Sequence, residues 1–221
     1  MKEIRDWIDV GAKVMLAVVA AMIGYYFSFN KQQNDDIKLI VDMVSDNNAQ
    51  KRILGAEVAK QYLDDKRIPD AIFVAIYRYA NLGEEDGLRN AVNAAASESA
   101  KSDTDLGKAL IAAEQSLPAR VYFHIRSADT RQHYQDVESI LSTKILTDGT
   151  SIIVPGIELV EGKQSQSELR CFRKSECETY GTELVSLLND AGAQVALKDL
   201  SARYENAQNI RPKHFEAWFA N

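Results

Sequence analysis

Residues 120–126 read RVYFHIR, a run in which apolar side chains alternate with polar or aromatic ones. A period of two is typical of a strand whose two sides meet different surroundings, so we expect a strand here. One side would face a core and the other would face away from it. The inner set is Val121, Phe123 and Ile125, and the outer set is Tyr122, His124 and Arg126.

The residues after this strand repeat a strand–helix–strand pattern. An amphipathic helix leads to a strand region at 151–160, which Pro155 interrupts. A second strand at 169–173 leads through another helix to a last strand at 194–200. Two such halves predict a four-stranded, ferredoxin-like βαββαβ sandwich with both helices on one face.

Two runs give this part of the chain a resemblance to known modules, namely VPGIE at 154–158 and RPKHFEAW at 211–218. With the strands around them, they are similar in layout to the LytR C-terminal and SPOR-type domains of bacterial membrane-anchored proteins. The resemblance covers residues 120–219. It implies a ferredoxin-like fold and a binding role, and it transfers no catalytic residues.

The outer side of the first strand predicts a ligand-binding face. In a ferredoxin-like sheet the first and third strands would be central, so their outer side chains would share one surface. Aromatic rings beside guanidinium groups can stack on flat or sugar-like ligands and pair with anions. SPOR-type domains use such a face for glycan strands. The residues of this candidate site are Tyr122, His124, Arg126, Arg170 and Phe172.

The C-terminal tail decides whether that face is free. Phe215, Trp218 and Phe219 are large and need burial. The tail therefore packs on its own domain, where it covers the face or adds an edge strand, or it docks into the groove of a partner by strand addition.

Residues 30–117 show helical periodicity and no strand pattern. Apolar residues recur at helical spacing, as at Ile37, Ile40 and Val44, and Pro69 stands at a helix start, where its missing N–H costs little. Helices of about 12–15 residues with short turns predict a small bundle or HEAT-like pairs. The segment has no histidine, cysteine or Gly-rich phosphate loop. We interpret it as a spacer or protein-contact domain.

The N-terminal residues predict a membrane anchor. Residues 11–29 form an apolar run with one charged residue near its start and an aromatic group at its end, as expected of a transmembrane helix. Residues 1–10 have an apolar face and a charged face, which predicts a helix lying on the membrane surface. The residues expected at the membrane surfaces are Trp7, Lys13, Tyr25 and Tyr26. A cleaved signal peptide and a buried core helix are the alternatives.

The basic residues around the anchor predict its orientation. Lys2, Arg5 and Lys13 precede or begin the span, whereas Lys31 and Lys38 follow it. The positive-inside rule then favours a soluble part outside the cytoplasm, by a margin of one residue. We expect a single-pass protein of the bacterial inner membrane whose soluble part is periplasmic or extracytoplasmic, with the cytoplasmic side as the open alternative.

Composition and motifs exclude several function classes. The net charge of -6 argues against non-specific nucleic-acid binding. No spacing of histidines or cysteines predicts a metal site, a cofactor or a catalytic group, so we do not expect an enzyme. Cys171 reads as a strand residue and Cys177 as part of the next helix's first turn. This placement is compatible with a disulfide and with two buried free thiols.

The layout of anchor, spacer (30–117) and α/β module (118–221) without catalytic motifs predicts a membrane-anchored binding protein. It would act as an adaptor, sensor or scaffold through protein–protein contacts. The alternative is binding of cell-wall glycan (peptidoglycan) through the open sheet face. The expected partners are the lipid bilayer, a protein and, in the alternative, the glycan; nucleic acid is not among them.

Overall fold

A computed structural model of the protein describes residues 31–83, 85–102, 104–205, 207 and 210–220. The chain divides into two compact units, with the boundary between Gln115 and Ser116. This is two residues before the predicted boundary. The architecture is α+β, with a helical N-terminal region and a mixed sheet in the C-terminal part, as the sequence predicts at this level.

The helical unit is built from helices with apolar inner faces. Asn48 caps the second of them by accepting hydrogen bonds from the backbone N–H groups of Gln50 and Lys51. Pro69 precedes the third, as its position in the sequence predicts. The helices are α1 (Lys31–Val44), α2 (Ala49–Asp64), α3 (Asp70–Leu82), α4 (Asp86–Ser102) and α5 (Thr104–Gln115).

One apolar core holds these helices together. It is filled by aliphatic residues and by Phe73, which is fully buried. Helix α2 packs against both α1 and α4, and α3 packs against α4 and α5. Asp36 of α1 accepts hydrogen bonds from the Arg67 guanidinium in the α2–α3 turn, including one of 2.7 Å, and this contact ties the two segments together.

The C-terminal unit combines a six-stranded sheet with short helices. Its strands are β1 (Ala119–Ile125), β2 (Ile152–Ile153), β3 (Ile157–Leu159), β4 (Glu168–Cys171), β5 (Ala196–Asp199) and β6 (His214–Trp218). Its first helix is α6 (Arg131–Leu141), which follows a 3-10 turn (Ala128–Thr130). Next come three consecutive segments, namely α7 (Lys174–Glu176), a π-helical segment (Cys177–Gly181) and α8 (Thr182–Asp190). The last helix is α9 (Ser201–Tyr204).

The strand order corrects the predicted four-stranded sandwich. The path through the sheet is β2-β1-β6-β4-β5, and β3 also pairs with β1. The C-terminal strand β6 lies in the centre, parallel to β1 and antiparallel to β4. Each predicted strand–helix–strand half therefore forms its own parallel pair, because the strand that separates the halves comes from the predicted tail.

The inner side of β1 is the predicted one. Val121, Phe123 and Ile125 are fully buried in a core that also takes in α6 and α8. Phe215 and Ala217 of β6 join them, and Phe219 stacks on Tyr134 of α6 with ring centroids 3.8 Å apart. Phe215 and Phe219 of the predicted tail are thus buried in the core of this unit, whereas Trp218 is partly buried on the opposite face of the sheet.

Cys171 and Cys177 form a disulfide, which decides between the two alternatives that the sequence left open. Cys171 ends β4 and Cys177 begins the π-helical segment, so the bridge joins the sheet to the helix that follows it.

The predicted surface helix (1–10) and anchor (11–29), with Trp7, Lys13, Tyr25 and Tyr26, lie outside the described residues. Within the part of the chain that is described, no helix has the length and apolar character needed to span a bilayer.

Candidate functional site: the outer face of the sheet

The outer face of the sheet carries side chains from three adjacent strands. Register pairs Tyr122 with Glu216 and His124 with Trp218 across β1 and β6. It pairs Arg170 with Glu216 across β4 and β6. Because side chains alternate along a strand, the neighbours of the buried core residues share this second face. We call it the outer face.

Trp218 lies at the centre of the outer face. The imidazole of His124 stacks on its ring with centroids 4.3 Å apart. The guanidinium carbon of Arg170 lies 4.1 Å from the same ring centroid, and that of Arg126 lies 5.1 Å away. Since β6 lies between β1 and β4, His124 and Arg170 approach the indole from opposite sides. Both faces of the ring are therefore occupied within the protein.

Glu216 links the rings of β6. Its carboxylate accepts a 2.7 Å hydrogen bond from Nε1 of Trp218 and lies 3.2 Å from Nε2 of His214. Burial by itself would raise the pKa of Glu216, but these two contacts outweigh it and hold that pKa below its usual value. The group is therefore a fixed negative charge at neutral pH.

His124 contributes unused hydrogen-bonding capacity to the outer face. Its side chain is only 12% exposed, and neither ring nitrogen makes a hydrogen bond within the described part of the chain. Nδ1 lies 3.4 Å from a carboxylate oxygen of exposed Glu158, close enough for attraction if the ring is charged. Burial nevertheless lowers the pKa of His124, and the neighbouring carboxylates only partly oppose that effect.

A second set of charges lies toward β5. Glu168 accepts a 2.6 Å hydrogen bond from Nε of Arg170, and its other oxygen lies 2.9 Å from Nζ of Lys198. Burial opposes ionisation of Glu168, but these basic partners outweigh it and lower its pKa. The Lys198 side chain is half exposed, so this end of the outer face presents positive charge to solvent.

The other end of the outer face is covered, and one predicted site residue lies buried there. Phe172 is buried, with its ring 5.6 Å from that of Tyr204 in α9 and 5.4 Å from that of His214. Tyr122 is half-buried and stacks on His214 at 4.8 Å. The cause is α9, whose Tyr204 packs on Phe172, together with Arg211, whose guanidinium carbon lies 5.7 Å from the centroid of the Tyr122 ring. Phe172 is therefore a packing residue.

The structure thus brings together three of the predicted site residues, His124, Arg126 and Arg170, around Trp218. Tyr122 and Phe172 lie at the covered end. The sequence reasoning missed His214, Glu216 and Trp218 as part of the face. The alternation of polar and apolar residues at 214–219 was the signal that could have found them, because it marks a strand with one buried side.

The helical unit offers a separate concavity of about 530 Å³. Its charged groups pair with each other, since Nζ of Lys60 lies 2.8 Å from Asp64 and 3.4 Å from Glu98. The lining residues are Lys60, Leu63, Asp64, Lys66, Glu98, Ser99 and Leu106.

No known protein family, characterised protein or solved structure shows significant similarity to this chain. The resemblance to LytR C-terminal and SPOR-type modules therefore stays a prediction.

Proposed function

We propose that the protein is a membrane-anchored binding protein that recruits a protein partner through the outer face of its C-terminal sheet. The anchor at residues 11–29 would hold it in the membrane, and the helical unit would act as a spacer. In this proposal His124, Arg126, Arg170 and Trp218 form the centre of the contact surface.

One observation carries this proposal: His124 is largely buried with two ring nitrogens that form no hydrogen bond among the described residues. Buried polar groups in native proteins nearly always form hydrogen bonds, with protein or with ordered water, and a group contributed by a partner would supply one to this imidazole. Helices α6 and α8 pack on the opposite side of the sheet from this end of the outer face.

The packing of the rings favours a protein over a glycan. Sugar binding by stacking requires a free ring face, whereas Trp218 has His124 on one side and Arg170 on the other. The ring of Tyr122 likewise stacks on His214. What the outer face offers instead is a mixture of partly exposed cations and carboxylates around a central tryptophan, a composition typical of protein interfaces.

The disulfide supports the proposed location outside the cytoplasm. Disulfides persist in oxidising compartments and are rare in the cytosol. The bridge between Cys171 and Cys177 therefore agrees with the orientation that the positive-inside rule favours. A partner would accordingly be a periplasmic, extracellular or membrane protein.

Site-specific photo-crosslinking in the host cell tests the proposal. A photoreactive residue at position 158, whose side chain is 69% exposed beside His124, should capture one reproducible protein. The same photoreactive residue at position 144, which is exposed in the turn after α6, should not capture it.

Charge changes give a matched control. Lys198→Glu on the outer face should lower the crosslinking yield at position 158, and Lys144→Glu away from it should leave the yield unchanged. Equal capture from positions 158 and 144 would contradict binding through the outer face. A crosslinking yield that Lys198→Glu leaves unchanged would contradict it as well. Co-sedimentation of the protein with peptidoglycan sacculi that is lost in Lys198→Glu would instead favour the glycan alternative.

A further inference from the structure

Three potential metal ligands meet at the carboxyl ends of β4 and β5. Cys171 and Asp199 are register partners on these two parallel strands. Cys177 follows in the π-helical segment, and its Sγ lies 3.4 Å from Oδ1 of Asp199. The two sulfur atoms and a carboxylate oxygen all lie within 4.8 Å of one another.

Asp199 has a structural role that explains part of this arrangement. Its Oδ1 accepts a 2.7 Å hydrogen bond from the backbone N–H of Ser201 at the start of α9. The same oxygen faces Cys177, whose sulfur has no hydrogen to donate while the bridge is formed. The cap alone requires an acceptor of the Asp or Asn type and not a negative charge. The negative charge of Asp199, which also interacts with Lys174, is therefore not required by the cap itself.

We propose that Cys171, Cys177 and Asp199 form a redox-controlled site for a divalent cation of the Zn²⁺ type. A dithiol reductant breaks the S–S bond and supplies two electrons and two protons, so that two thiols form and the reductant closes to its own disulfide. The cation then displaces the two thiol protons and is bound by two thiolates and one carboxylate. Water completes a tetrahedral set.

Burial and rigidity fit this chemistry. Both cysteines are buried and Asp199 is exposed, so the cation can enter from solvent past the carboxylate. Cys171 and Asp199 lie on hydrogen-bonded strands, which limits their relative movement when the bridge opens. Thiolates select Zn²⁺ and similar cations over Mg²⁺ and Ca²⁺, which prefer oxygen. Since binding releases two protons, its affinity should rise with pH.

Cobalt binding to the full-length protein tests the proposal. Co²⁺ serves as the spectroscopic probe, because thiolate coordination gives a charge-transfer band in the near ultraviolet. After reduction by a phosphine we expect this band to appear and to disappear when Zn²⁺ is added. The oxidised protein and the Cys171→Ser/Cys177→Ser variant should show no band.

Asp199→Asn separates a ligand role from the capping role, because asparagine still accepts the hydrogen bond from Ser201. We expect this variant to bind Co²⁺ at least about tenfold more weakly. Even the loss of a residue that only hydrogen-bonds to a metal ligand typically weakens metal binding by about that factor. Asp190→Asn, the same change at an exposed position of α8, should bind as the wild type does.

Reduced wild-type protein without a thiolate band would overturn the proposal. So would Asp199→Asn with unchanged Co²⁺ affinity, because the carboxylate would then be only a cap. Circular dichroism of each reduced variant is the control that it is still folded, so that a loss of Co²⁺ binding is not due to unfolding.

Discussion

The burial of His124 predicts that the stability of the C-terminal unit depends on pH. Burial lowers its pKa below the ordinary value of 6.5, so the unfolded chain takes up a proton at this residue at a higher pH than the folded chain does. Its contribution to stability is therefore complete above about pH 6.5 and is lost as the pH falls toward the lower folded pKa. We expect the free energy of unfolding to decrease from pH 7 to pH 5.

Substitution identifies His124 as the source of that decrease. His124→Phe should make the free energy of unfolding less dependent on pH across this range, because it removes the titrating group. Exposed His133→Phe is the matched control and should keep the wild-type dependence. Urea unfolding at a series of pH values measures both. A slope that is the same in His124→Phe and the wild type would contradict the assignment.

At the scale of elements, Gly55 permits the close approach of α1 and α2. A Cβ added at this position would lie 2.8 Å from Cβ of Met43 and 3.0 Å from the backbone nitrogen of Val44. Overpacking of this kind costs about 1–3 kcal/mol, against a helix-propensity gain of about 1 kcal/mol for alanine over glycine. We expect Gly55→Ala to destabilise the helical unit, as measured by thermal unfolding.

Gly83→Ala is the control for this packing argument. Gly83 ends α3, and the nearest atom to an added Cβ is 3.5 Å away, an ordinary contact. The substitution should be neutral or slightly stabilising, because alanine restricts the unfolded chain. A Gly55→Ala protein that is as stable as Gly83→Ala would show that the helices can separate at little cost.

The whole molecule contains two units, each with its own apolar core. Both cysteines lie in the C-terminal unit, so reduction of the bridge should affect that unit alone. Because the bridge closes only a short loop, its reduction should lower the free energy of unfolding of the C-terminal unit by about 2 kcal/mol in the chain-entropy account. Calorimetry in the presence of a chelator measures this effect. Adding a reductant should lower the temperature of the transition of the C-terminal unit and leave that of the helical unit unchanged.

The position of the unmoved transition is the control in the same experiment. It should respond to Gly55→Ala and not to the reductant, because Gly55 belongs to the helical unit. A single transition that shifts as a whole in both experiments would show that the two units unfold together.

The sequence alone was sufficient for features that depend on local pattern. The period of two at 120–126 placed Val121, Phe123 and Ile125 in the core and Tyr122 and His124 on the other face, because side-chain alternation is a property of the strand itself. Helical spacing and Pro69 likewise located helices upstream.

Only the tertiary structure decided which strands are neighbours. Residues 214–218 have a strand pattern, but a pattern does not say whether a strand lies at an edge or in the centre. Pairing with both β1 and β4 depends on contacts between residues far apart in the chain. That pairing placed Trp218 between His124 and Arg170. The contact of α9 with Phe172 likewise joins residues that are distant in the chain. The disulfide could not be predicted from the sequence either. The spacing of Cys171 and Cys177 allows a bridge, but only their distance in the folded chain shows that it forms.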